Sequence, residues 1–274
     1  MPLIDSFQKF DTIEKIDFQE KGFLVKSCEN QGGLVELRET VIRLICEHTG
    51  LPDTGAPTDF LNSIHLQVAQ ESINELRMSL YNSLNTEGWF RPTYYSFSKS
   101  IIETIIGNEL AMQNRINLNI MMPGDAGSYI PLHSDPHSGE SPFQCVLWIP
   151  LTDTYDTKGV FLLPPEANQR ALQHFKAWMK EGGRERVMQE IQHELVWAEV
   201  PFGSFLLFTP TLLHGSVIND TNETRWSFNT RFKSLFTPYG SQEKGLGSFY
   251  LPIRTTPATH FGLQYAKPAG LGES

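Results

Sequence analysis

Apolar residues in the first hundred positions recur every three or four residues, the spacing of helices with one buried face. The run 34–45, with Leu34, Leu37, Val41 and Ile45 on one stripe, predicts a helix ending near Gly50, with Pro52 just beyond. Ile73, Leu76, Leu80 and Leu84 repeat the pattern over 68–84, and 98–110 offers a third, shorter helix. From Arg115 the period drops to two, and short runs rich in β-branched and aromatic residues are separated by Gly, Pro and Asp. Eight strands are predicted: 115–122, 129–133, 143–151, 159–163, 194–198, 204–208, 214–218 and 225–233. A helical insertion over about 168–192, carrying Phe175, Trp178, Val187 and Ile191, lies between the fourth and fifth. Eight strands of this length suit a jelly roll, two sheets facing each other. The reading is one domain over 1–274: a helical part (1–112), a jelly-roll core (113–235), and a Gly- and Pro-rich extended tail (236–274) that wraps the sandwich or covers its mouth.

Composition narrows the function classes. With 40% apolar and 19% charged residues in 274, the chain is globular and long enough for a real core. A formal charge of -9 gives no footprint for nucleic acid or anionic lipid. Three cysteines, Cys28, Cys46 and Cys145, far apart and without Cys-x-x-Cys spacing, argue against a disulfide scaffold or a thiolate zinc site. Residues 1–6 lack a basic and apolar leader, and no apolar run reaches membrane-spanning length, so a cytoplasmic protein is expected.

The candidate chemistry lies in His133-Ser134-Asp135 and His214. An imidazole and a carboxylate two apart at a strand end point the same way and can share a metal. A histidine from a distant strand would complete one triangular face and leave the other open, the two-histidine one-carboxylate arrangement suited to non-haem Fe(II). Structural zinc would want four closing ligands. With 8 His and 31 acidic residues, roughly one His-x-Asp/Glu is expected by chance, so the dyad alone says little. Context makes it informative: Tyr129-Ile130-Pro131-Leu132 precedes it, His214 opens a strand, and Arg225 follows.

His133-Ser134-Asp135, His214-Gly215-Ser216 and Arg225 together resemble the phytanoyl-CoA dioxygenase-like branch of the Fe(II)/2-oxoglutarate oxygenases, in register over 115–233. The stretches 130–135 and 141–151 are similar to oxygenases of aminoglycoside-antibiotic and surface-carbohydrate gene clusters. The resemblance implies a double-stranded β-helix of cupin type, with His133, Asp135 and His214 as catalytic metal ligands. It also implies Fe(II) as cofactor, with 2-oxoglutarate and O2 as cosubstrates. Arg225 is then the clamp for the far carboxylate of 2-oxoglutarate, because a guanidinium donates two parallel hydrogen bonds and stays charged. Arg231, six residues on and on the same strand face, is the rival, left to hold a substrate group or a structural carboxylate.

Ser216 matches a family position near the cosubstrate, and Trp148 a position lining its pocket. Gln144 shares a strand face with Trp148, and Ser227 shares one with Arg225, opposite the packed Trp226, Phe228 and Phe232. Asn117 and Asn119 make one face of the first strand polar, a face that is solvated or looks into the pocket; on the second reading Asn119 joins the cosubstrate contacts and Asn117 those of the substrate. His137 follows Pro136 out of the strand and is expected at the site mouth, among the substrate contacts, rather than on the metal.

The presence of Asp135 argues against halogenation, in which the carboxylate gives way to halide. Without a basic cluster an acyl-CoA phosphate tail is a poor fit, and a small polar molecule, a sugar or an amino sugar with its ammonium group, fits better. The reading is hydroxylation or another oxidation of a substrate C–H. Two alternatives stand beside it: a non-oxidative jelly-roll metal enzyme such as an isomerase or epimerase, and a carbohydrate-binding module without chemistry. The oligomeric state has no motif.

Overall fold

The architecture follows from which strands are apolar on both faces. In the computed structural model, which describes residues 12–266, Cys145, Leu147 and Ile149 of strand β4 (Gln144–Pro150) face one way and Val146 and Trp148 the other, and all five are buried. Strand β7 (Ser204–Phe208) repeats this with Phe205 and Leu207 against Leu206 and Phe208. Such a sheet must be covered on both sides.

One cover is helical. Helix α2 (Gln31–Thr49) buries Leu34, Leu37, Val41, Ile42 and Ile45, and α4 (Ile73–Thr86) buries Ile73, Leu76, Leu80 and Leu84 in the same core as Leu147, Leu207 and Phe228. The Asn30 side chain caps α2 by accepting from Gly33 N–H at 2.9 Å, and Gly50, in the left-handed region at φ 75°, ends it where predicted. The layer is bonded to the sheet as well as packed on it. Tyr94 Oη donates toward the carbonyls of Leu147 (3.1 Å) and Phe228 (3.0 Å), and Trp226 Nε1 donates to Leu61 O at 2.8 Å.

The large antiparallel sheet runs β1 (Phe23–Ser27), β7, β4, β9 (Arg225–Ser234), β2 (Leu110–Gln113), β10 (Tyr250–Arg254), and β3 (Asn117–Met121) also pairs with β9. A smaller sheet, β6 (Val196–Ala198), β5 (Val160–Leu162) and β8 (His214–Gly215), faces it. Val160 and Leu162 meet Val146, Trp148, Leu206 and Phe208 between the sheets. Phe161 and Leu163 point outward to helix α7 (Pro165–Ile191), which breaks at Gly182 and Gly183. The expected jelly roll with N-terminal helices is therefore present, as two facing open sheets rather than a closed barrel.

Several local expectations need correction. The segment 129–133 is no regular strand and joins β8 through a single bridge, His133 to His214. The strand at 214–218 is only two residues long. The third helix stops as α6 (Lys99–Ile105), and Leu110 starts β2, because its ladder with β9 and β10 outweighs local helical spacing. The N-terminal part also supplies β1, paired with β7. The tail expected to be extended contributes β10, paired with β2, and helix α8 (Pro257–Gln264). Residues 1–6, read above for a leader, and the last eight residues of the tail lie outside the described residues. Among the described residues no helix is long and apolar enough to cross a membrane.

Candidate metal centre

Strand β9 differs from β4 and β7 in one respect. Trp226, Phe228 and Phe232 join the helical core, but the alternate positions facing the small sheet are Arg225, Ser227, Asn229, Arg231 and Lys233. A polar stripe thereby enters the space between two sheets, and a cavity of about 330 Å³ forms over it. Its walls include Asn117, Asn119, Ile130, His133, Asp135, Val146, Trp148, Val160, Phe208, His214, Ser216, Arg225, Asn229 and Arg231.

His133 and His214 face each other across the bridge, with N–H···O bonds of 3.0 and 2.8 Å between their backbones. Gly215 permits this close pairing. A Cβ there would stand 2.7 Å from Ile130 O and 2.9 Å from the Phe161 ring. His133 Nδ1 lies 2.8 Å from Pro131 O, and His214 Nδ1 2.8 Å from Leu212 O. A carbonyl only accepts, so each Nδ1 carries the proton and each Nε2 keeps its lone pair for a ligand. Both Nε2 atoms turn toward Asp135 Oδ1, at 3.3 Å from His133 and 3.8 Å from His214. The three residues offer ligand atoms all within 4.8 Å of one another, and among the described residues they are the one such group.

Asp135 is 3% exposed. Burial opposes its charge, but the neighbouring His133 ring and the Arg231 guanidinium together hold its carboxyl well below the usual carboxylate range. Burial, aided by the neighbouring His133, pushes His214 down to about 4, so its ring is neutral and able to ligate near neutral pH.

Arg225 lines the same cavity. Its Nη1 donates to Gly159 O and its Nη2 to Asn119 Oδ1, each at 2.7 Å, while its buried Nε has no partner. Among the described residues it has no acidic partner within ion-pair distance, and burial pushes it down to about 9, still charged near neutral pH. Buried charges are ordinarily paired, so this arrangement suits an incoming anion.

The remaining expected residues divide. Trp148 and Ser216 line the cavity, and Ser216 Oγ accepts from Ile130 N–H at 2.9 Å, which leaves its hydroxyl proton free to donate inward. Asn119 reaches Arg225, and Asn117 bonds Asn229 at 3.0 Å, so the polar face of β3 looks into the pocket. Ser227 is buried with an unpartnered Oγ but does not line the cavity, lying opposite Asn119 and Pro150 in the ladder. Gln144 shares Trp148's side of β4 yet sits beyond the cavity, 2.5 Å from the Tyr250 hydroxyl. His137 is exposed in the turn after Asp135, its ring 5.1 Å from Phe175 and outside the cavity wall. Arg231 lines the cavity, but its Nε and Nη2 are both spent on Asp135 Oδ2. Sequence reasoning missed Arg77 of α4, which lines this cavity and a neighbouring one of about 640 Å³. The spacing of α4 marks only its buried stripe of Ile73, Leu76, Leu80 and Leu84, and Arg77 stands beside that stripe.

Residues 62–227 match the family profile described as phytanoyl-CoA dioxygenase (PhyH). No curated protein matches the chain. Among solved structures, the non-heme monooxygenase ThoJ in its nickel complex is similar at 16% identity and a TM-score of 0.53, covering 89% of this chain and 84% of that one. HygX from Streptomyces hygroscopicus, with nickel and 2-oxoglutarate bound, is similar at 14% identity and a TM-score of 0.54, covering 83% and 89%. HygX with hygromycin B also bound is similar at a TM-score of 0.51 and 13% identity, covering 83% and 89%. At these identities the likeness shows the shared fold.

Proposed function

Because the chain belongs to the phytanoyl-CoA dioxygenase family, we propose that it is an Fe(II)- and 2-oxoglutarate-dependent dioxygenase that hydroxylates a C–H of a small polar metabolite, a sugar or amino sugar. The observation that carries this reading is one cavity joining His133, Asp135 and His214 to a buried, acid-free Arg225. The same fold in HygX accommodates nickel, 2-oxoglutarate and hygromycin B together.

When bound, ferrous iron and 2-oxoglutarate would supply the oxidising power, using O2 to functionalise a substrate C–H. The chain's residues do the rest. Pro131 and Leu212 carbonyls orient the two imidazoles, and Asp135 presents Oδ1 between them. Arg225 holds the far carboxylate of 2-oxoglutarate with its free Nε and adjacent edge, while Ser216 offers a hydroxyl proton. Val146, Trp148, Val160 and Phe208 form an apolar wall that keeps water from the reacting centre. Asn117 and Asn229 lie where a substrate hydroxyl can be received. The polar lining supports a hydroxylated substrate over an apolar one.

Anaerobic addition of Fe(II) and then 2-oxoglutarate tests the reading. A visible charge-transfer absorption that requires both and is missing in His133→Ala is the expected result, followed by succinate release with the right polyol or amino sugar. Metal binding without the absorption would replace the oxygenase by a non-oxidative metal enzyme.

A further inference from the structure

Arg231 makes an unusual choice of bonds. Its Nε and Nη2 both reach Asp135 Oδ2, each at 2.8 Å, so one carboxylate oxygen is fully engaged and the other, Oδ1, is left toward the two imidazoles. Its remaining Nη1 donates to Gln113 Oε1 at 3.2 Å. Beside the same Nε stands a second buried carboxylate, Glu140, with Oε1 3.9 Å from Arg231 Nε and 2.8 Å from Lys244 Nζ. The Tyr250 hydroxyl lies 3.1 Å from Glu140 Oε2 and 2.5 Å from Gln144 Oε1 and shares its one proton between the two acceptors. Asp135, Arg231, Glu140 and Tyr250 thus form one chain of polar contacts from the candidate metal site to β10.

The backbone is gripped at the same place. Ser241 N–H donates to Gly139 O (2.8 Å), Ser141 Oγ to Pro238 O (2.7 Å), and Lys244 Nζ to Ser138 O (2.9 Å). A Cβ on Gly240 would overlap Gly139 O, so glycine is what lets the C-terminal segment lie against the turn that follows Asp135. Residues 238–250, beyond the 62–227 family match, therefore clasp the loop that carries one candidate ligand.

We infer that Arg231, held by Glu140 and the segment 238–250, is a positioning residue that fixes Asp135 to offer a single oxygen to the metal. The inference rests on the proposal that His133, Asp135 and His214 ligate a metal. A guanidinium beside a cation site repels the ion, so charge alone predicts tighter binding once it is removed. Orientation predicts the reverse, because an outer partner that fixes a ligating carboxylate is worth about 10- to 100-fold in metal affinity. The two roles have opposite signs.

The test is Mn(II) binding to the full chain, counted as free ion by electron paramagnetic resonance, in wild type, Arg231→Gln and Tyr250→Phe, with thermal melting of each metal-free protein. Expected are about 10- to 100-fold weaker Mn(II) binding in Arg231→Gln and a smaller loss in Tyr250→Phe, with a changed line shape of the bound ion. Unchanged or tighter binding in both variants overturns the inference, whatever happens to the melting temperature. Should Arg231→Gln not fold, Tyr250→Phe decides alone, since it removes one hydroxyl. Failure of the wild type to bind Mn(II) would instead remove the metal centre itself.

Discussion

Two arginines on one face of β9 meet the same cavity and have different occupations. Arg231 is neutralised by Asp135 and Glu140, whereas Arg225 has carbonyl and amide acceptors, a bare Nε and no acid. Six residues apart on one strand, they are equivalent by alternation; the eleven-residue offset from His214 favours Arg225 in the sequence, and the position of the loop 135–140 pairs Arg231 in the structure. Removing the unpaired one should cost what a desolvated charge pair costs. Arg225→Ala is expected to weaken 2-oxoglutarate binding to the Fe(II)- or Mn(II)-loaded protein by about 2–5 kcal/mol, on the order of 30-fold or more, read by calorimetry. Metal affinity should change little, because Arg225 touches none of the candidate ligands. Undiminished 2-oxoglutarate binding would take the clamp away from Arg225.

At the scale of elements, the short strand β8 carries the most consequence per residue. Gly215 has backbone on one side and the Phe161 ring on the other, so Gly215→Ala must separate β8 from the 130–133 segment and with it His214 from His133. Overpacking of this kind typically costs about 1–3 kcal/mol, and the variant should both melt earlier and bind metal more weakly. Gly32→Ala, in α2 with nothing within 4 Å of the added carbon, is the control and should melt at or slightly above wild type. What the sequence made legible follows from the same physics. Helices α2 and α4 and strands β4 and β9 have long, clean periods and were predicted nearly as they stand. The 129–133 segment and β8 are held by a bridge and a ladder to partners far along the chain, and β1 and β10 by pairing with β7 and β2, so local pattern said little about them. The candidate triad was legible because its spacing needs no knowledge of how those elements end. The Glu140, Lys244 and Tyr250 contacts were not, because they join residues more than a hundred positions apart.

At the scale of the whole molecule the described residues form layers of helices, large sheet, small sheet and α7, with the candidate site in an interlayer where a polar stripe replaces apolar packing. His133 and His214 belong to the small-sheet side, Arg225 and Arg231 to the large sheet, and Asp135 is tied through Arg231 to the C-terminal segment. A metal joining His133, His214 and Asp135 would therefore link the small sheet to a loop that the large sheet and the segment after it hold in place. No such site exists in the unfolded chain, so the binding free energy becomes folding free energy. At a free metal concentration about 100 times the dissociation constant the gain is about 2.7 kcal/mol. For a domain of about this size each kcal/mol raises Tm by about 2–4 °C, so Mn(II) or Ni(II) should raise it by roughly 5–10 °C and excess chelator should reverse the shift. An acidic chain of net charge -9 also attracts divalent ions loosely over its surface, which His214→Ala leaves unchanged. A shift that persists in His214→Ala would therefore belong to the surface, and one that disappears would belong to the site between the sheets.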